Sequence, residues 1–327
     1  MKAAFKYFFI WLFLTIVGGA MFFMVAFIVM GIFGYDIDSF ELVFENPGLI
    51  AGALLTINLL VLLVFWMRKY TRFSFGYGFT YGEKFSSGQL YLWAAVGAVG
   101  CLILDIMVQE YVPIPVDEDL GKIFGGLMTN PFGILGICLI GPLAEEVIFR
   151  GAILRRLLEK HWNPWFAIVI SALFFAVAHG NYAQGFTALV IGIFMGWVFY
   201  RTRSIWPCFF IHALNNTAAT VISCALPESL ENSLGVPLSV GIPLIAVSIF
   251  LIAIGARFIS RMTDDRTPVP VPAAQVLPPP LPYEATQGYV SPQGPESDVP
   301  VEGIPVEDTM TGAAPAEPGE SMPPESE

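Results

Sequence analysis

From Phe132 to Leu154 the chain reads FGILGICLIGPLAEEVIFRGAIL, a run apolar and long enough to cross a bilayer that nevertheless holds Glu145, Glu146 and Arg150. A spanning helix needs about 20 apolar residues. A charge at its centre costs about 2.5–3.5 kcal/mol on insertion scales, so such residues face a protein interior or a wet cavity. Two later apolar runs each carry a histidine, His179 and His212. The ionisable groups therefore mark a candidate site inside a bundle of membrane helices.

Working outward, about eight apolar runs fill the body of the chain, near Phe8–Phe33, Gly48–Trp66, Leu90–Val108, Phe132–Leu154, Trp165–His179, Phe186–Tyr200, Ile205–Val221 and Pro237–Phe258. The fifth and sixth are short and the seventh is interrupted by polar residues, as helices that line a site would be. Composition agrees: 55% of the 327 residues are hydrophobic and 13% charged, and the mean hydropathy is +0.67, values foreign to an ordinary soluble domain. The fold class expected is all-α, a polytopic integral membrane bundle of about eight transmembrane helices. The first run follows Lys2 and Lys6 but is roughly twice the ~7–15-residue core of a secretion signal, so it reads as a retained anchor.

The net charge of −11 belongs to the C-terminal segment alone. Residues 1–261 hold 15 Lys+Arg and 15 Asp+Glu, whereas residues 262–327 hold one Arg against 12 acids and carry 15 of the 25 prolines. Such a segment cannot build a core and reads as an extended, solvated cytoplasmic tail. The domain division is thus a membrane domain over 1–261 and a tail over 262–327. The chain's last residues, Glu325-Ser326-Glu327, match no prenylation box. The charge-balanced body offers no basic surface for nucleic acid, and no nucleic-acid partner is expected.

Every second connection is basic: Lys2 and Lys6; Arg68, Lys69, Arg72 and Lys84; Arg155, Arg156 and Lys160; Arg201 and Arg203; Arg257 and Arg261. The alternate connections are acidic, with Asp36, Asp38, Glu41 and Glu45, then Asp117, Glu118 and Asp119, then Glu228 and Glu231. The positive-inside rule places both termini in the cytoplasm, in a plasma or inner membrane. The aromatic, basic stretch Arg68–Lys84 reads as an interfacial contact with anionic lipid. Cys101, Cys138, Cys208 and Cys224 all fall in apolar runs without CxxC spacing and read as small core residues.

Glu146 and Arg150, four apart, stack on one helix face as an ion pair. Glu145 points about 100° away, which leaves it unpaired and suited to general acid–base work. His212 and Asn216 are also four apart, an adjacent donor pair able to stabilise the oxyanion of an attacked amide. His179 is placed to help Glu145 hold the attacking water. Counted from the cytoplasmic ends at ~1.5 Å per residue, Glu145 lies roughly 15–20 Å deep, His212 roughly 12 Å and His179 somewhat over 20 Å. Asn215, Asn58 and Asp105 read as helix–helix hydrogen-bonding residues, with Asp105 a second candidate to face the cavity.

Taken in order, Glu145-Glu146-x-x-x-Arg150, Phe175-x-x-x-His179 and His212-x-x-x-Asn216 resemble the CPBP family, which includes the type II CaaX prenyl endopeptidases and bacterial relatives often called Abi proteins. The signature covers roughly Phe132 to Val221. The resemblance implies that Glu145 activates water with His179 and that His212 and Asn216 form the oxyanion site. It also implies a peptide or protein substrate near membrane lipid, of which a lipidated CaaX end is one form. Because the family has been described both as metalloproteases and as metal-independent, both readings stay open. Zinc on Glu145, His179 and His212 would satisfy a catalytic site with an open position, but no HExxH pair is present and Glu146 would be left as base although Arg150 already engages it. The metal-free reading is favoured. Two other classes share these residues: an ion- or proton-coupled transporter, weakened by the lack of an internal repeat, and a non-proteolytic scaffold or immunity protein.

Overall fold

The computed structural model describes residues 2–34, 46–70, 87–112, 118–225 and 234–263. The acidic tail from residue 264, the stretch 71–86 of the interfacial loop, and the acidic connections at residues 35–45, 113–117 and 226–233 lie outside these described residues, as do the expectations placed on them.

Among the described residues nine helices form, with no strand: α1 Lys2–Ile32, α2 Pro47–Met67, α3 Ser87–Tyr111, α4 Glu118–Met128, α5 Pro131–Glu159, α6 Pro164–Ala178, α7 Tyr182–Thr202, α8 Ile205–Ala225 and α9 Leu238–Met262. Seven of them are long and apolar enough to span a membrane, and α6 is a shorter apolar helix. These eight correspond one for one to the apolar runs, so the polytopic all-α expectation holds. The ninth, α4, has Leu120, Ile123, Phe124, Leu127 and Met128 at helical spacing, a narrow apolar stripe too short to span.

Helix starts follow their caps. Asn46, Asn130, Asn163 and Asn181 each accept backbone N–H bonds through the side-chain oxygen at the start of α2, α5, α6 and α7, and in the first three proline follows directly. The last helix runs through Met262, one residue past the boundary drawn from composition. Its final carbonyls are held by Arg201, whose guanidinium donates to the Ser260 carbonyl at 2.8 Å, the Thr263 hydroxyl at 2.9 Å and the Thr263 carbonyl.

The outer faces of α1, α2 and α9 carry exposed Phe9, Phe13, Trp66 and Phe250, the surface a bundle presents to lipid. Inside, α3 packs closely on α9 and α6 on α7. The α3–α9 crossing depends on small residues: a Cβ on Gly255 would lie 2.8 Å from the Trp93 carbonyl oxygen and one on Gly100 2.7 Å from that of Ser248. This close approach lets Trp93 and Phe258 stack at 3.9 Å. Cys101, Cys138 and Cys208 are buried as expected, whereas Cys224 is exposed near the end of α8, a correction to its reading as a core residue.

Candidate active site

Helix α5 is not uniform. Two π-helical segments, Gly136–Ile140 and Phe149–Leu154, bracket an eight-residue α segment, Gly141–Ile148, that holds both glutamates. Such π turns inside α-helices are frequent at functional sites.

Glu146 is fully buried, and its Oε1 accepts from Arg150 Nη1 at 2.8 Å and pairs with His212 Nδ1 at 2.9 Å. Arg150 Nη2 donates to the Gly192 carbonyl of α7 at 3.1 Å, and the guanidinium lies 4.6 Å over the Phe175 ring. A carboxylate paired with arginine can only accept, so His212 donates from Nδ1 and turns Nε2 outward. That Nε2 stands 3.6 Å from Glu145 Oε2, whose side chain keeps 29% of its surface accessible. His212 therefore lies between two carboxylates of α5 that point in different directions.

His179 caps the C-terminus of α6 and donates from Nδ1 to the Phe175 carbonyl at 2.8 Å. The carbonyl cannot donate, so in the neutral ring Nε2 is the acceptor. Asn181 holds this corner: its Nδ2 donates to the His179 carbonyl and to Gln184 Oε1. The Phe175 ring links the two histidines, meeting His179 edge-on at 4.8 Å and His212 at 5.5 Å. Asn216 donates from Nδ2 to the Ile137 carbonyl of α5 at 3.0 Å.

The structure thus brings Glu145, Glu146, Arg150 and His212 into one contact cluster, joins His179 to it through Phe175, and ties Asn216 to the same helix. The expected Glu145–His179 partnership is not a direct contact: among the described residues no hydrogen bond or ion pair joins them, and the imidazole nearest Glu145 is that of His212. Sequence reasoning left Phe175 without a role; its place four residues before His179 was the available signal. Asp105 belongs elsewhere, accepting from Thr187 at 2.5 Å and Gln109 at 2.8 Å. Asn58 bonds the Leu54 carbonyl of its own helix, and Asn215 is buried. For the zinc alternative, no three His, Cys, Asp or Glu side chains gather among the described residues as a metal would require.

Residues 128–218, which include all seven motif residues, match the family model described as Type II CAAX prenyl endopeptidase Rce1-like. A putative membrane peptidase, YdiL, of Bacillus subtilis (strain 168) is 29% identical over 146 residues, which cover 43% of this chain and 59% of the relative. The membrane-embedded CAAX protease MroQ of Staphylococcus aureus (strain USA300) is 26% identical over 151 residues, covering 43% and 61%. The chain therefore aligns with about three-fifths of the length of these two relatives. No solved structure gives a significant match. The bundle of spanning helices, the ordered motifs and the matched segment agree, and residues 128–218 of this membrane protein are similar to the Rce1-like type II CAAX prenyl endopeptidases.

Proposed function

We propose that the protein is a membrane-embedded endopeptidase that hydrolyses a peptide bond by direct attack of water. One observation carries the reading: His212 is held through Nδ1 by the buried Glu146–Arg150 pair while Nε2 stands 3.6 Å from the accessible Glu145. A structural ion pair needs no second carboxylate on the far side of the imidazole.

In this reading Glu145 is the base. Water, held by Glu145 and by the acceptor Nε2 of His179, loses a proton to Glu145 as its oxygen bonds the carbonyl carbon. The resulting oxyanion is stabilised by the His212–Asn216 face, with His212 donating from Nε2 when that nitrogen is protonated. Collapse breaks the C–N bond, and Glu145 returns its proton to the leaving amine. Glu146 and Arg150 take no part in bond-making; they fix the His212 ring. General-base catalysis contributes about 10²–10⁴-fold, and one oxyanion donor about 10²–10³-fold. No step passes through a metal.

The substrate proposed is a peptide presented close to the bilayer, with a prenylated CaaX end as its best-supported form, since that is the activity named by the family. The test is mass-spectrometric cleavage of lipidated and unmodified peptides by detergent-purified protein, beside folded Glu145→Gln and His179→Ala variants. Wild-type cleavage with at least about a 10²-fold loss in each variant supports the assignment. Failure to cleave any peptide overturns it. Activity that vanishes with a chelator and returns only with Zn²⁺ would reverse the metal-free reading.

A further inference from the structure

The π turn before the glutamates has a chemical cause and a consequence. In an α-helix the Ile137 carbonyl would accept from the nitrogen of residue 141, and in a π turn from that of residue 142. The Gly141 N–H is bonded instead to the Gly136 carbonyl, in the π register, and residue 142 is proline, which has no N–H to donate. Neither register supplies Ile137 with a backbone donor. A carbonyl without a partner inside a membrane bundle costs several kcal/mol, and here the donor is Asn216 Nδ2 from α8 at 3.0 Å. Gly141 belongs to the same device, because a Cβ there would lie 2.8 Å from the Gly136 carbonyl oxygen.

We propose that Pro142 is a positioning residue for Asn216: by withholding its N–H from the Ile137 carbonyl it creates the acceptor that anchors one amide hydrogen of Asn216 and aims the other into the site. Held this way, Asn216 keeps a fixed carboxamide orientation one turn along α8 from His212. The inference rests on the oxyanion role proposed above. Pro142 itself touches no reacting atom.

The variant Pro142→Ala restores an N–H in the register that Gly141 already uses, so it competes with Asn216 for the Ile137 carbonyl while removing no polar group. Alanine also favours a helix interior over proline, so the melting temperature in detergent stays the same or rises. The expected kinetic result, with a farnesylated CaaX peptide as the probe, is a fall in kcat of about tenfold with KM within about twofold; Asn216→Ala falls by about 10²-fold or more, and the double variant is no worse than Asn216→Ala alone. A merely structural proline would instead lower stability and activity together.

A second readout needs no activity. Unfolding of wild type, both single variants and the double variant gives a double-mutant cycle, and the two changes should be non-additive. Additive effects overturn the proposal, as does unchanged kcat in Pro142→Ala when Asn216→Ala is inactive. If the wild type cleaves nothing, or Asn216→Ala cleaves normally, the functional reading fails, and the unfolding cycle alone decides whether Pro142 acts on Asn216.

Discussion

Glu146 and Arg150 show how much one pair of side chains can organise. Both are nearly inaccessible, and the guanidinium reaches three elements at once: Glu146 within α5, the Gly192 carbonyl of α7 and the Phe175 ring of α6. Removing one member of a buried pair leaves the other charge uncompensated, at a cost of about 3–5 kcal/mol. Arg150→Met should therefore lower thermal stability in detergent by about that amount and leave little folded protein. Arg150→Lys keeps the charge but not the two-pronged reach, and should fall between the two. A melting temperature unchanged in Arg150→Met would show that the pair carries no structural weight. The four-residue spacing made this pair legible in the sequence, because neighbours on one helix face are fixed by helical geometry. His212 as the second partner of Glu146 was not legible: it lies 66 residues away, and only the packing of α8 on α5 brings the two together.

At the scale of the elements, hydropathy located all eight apolar helices because lipid forces each span to satisfy its own backbone. It passed over α4, whose signal is a period rather than an average, with apolar residues at 120, 123, 124, 127 and 128. The π segments were hidden too, since no composition marks them; only the Gly141-Pro142 pair hinted at a break. Helix pairing was equally unreadable from one chain, and the α3–α9 contact illustrates why. It depends on where the glycines of two helices meet, not on either stripe alone. Gly255→Leu should disrupt it, because the atoms in the way are the Trp93 carbonyl oxygen and the Gly97 backbone, which cannot rotate aside as a side chain can. Overpacking of this kind costs about 1–3 kcal/mol. The expected outcome is a lower melting temperature together with a change in tryptophan emission as Trp93 loses its stack on Phe258. Unchanged emission and stability would mean that α3 and α9 do not cross as closely as described.

Across the whole molecule the ends of the helices sort by charge, and under the proposed reading this sorting decides from which side a substrate would reach Glu145. Arg155, Arg156 and Lys160 close α5, and Arg201 in the last turn of α7 and Arg203 just after it precede α8; Arg155 also donates to the Tyr70 carbonyl beyond α2, which ties two basic ends together. Basic connections are retained on the cytoplasmic side. Helix α8 starts beside Arg203 and finishes at Ala225, so Cys224 should lie on the opposite side of the membrane. It is also the one exposed cysteine of the four, which makes native labelling specific. A membrane-impermeant maleimide should modify wild type in right-side-out vesicles and not in inside-out ones. Lys160→Cys in a Cys224→Ser background should give the reverse, since residue 160 is exposed at the basic end of α5. Labelling of both positions from one side would break the alternation of the spans, and with it the inference that Glu145 lies about 20 Å from the cytoplasmic end of α5, given ~1.5 Å per residue. At that depth a soluble peptide reaches the carboxylate only by entering the bundle, whereas a chain end already held in the bilayer by a lipid starts close to it, so opposite labelling of the two cysteines would favour lipidated over unmodified peptides in the cleavage assay.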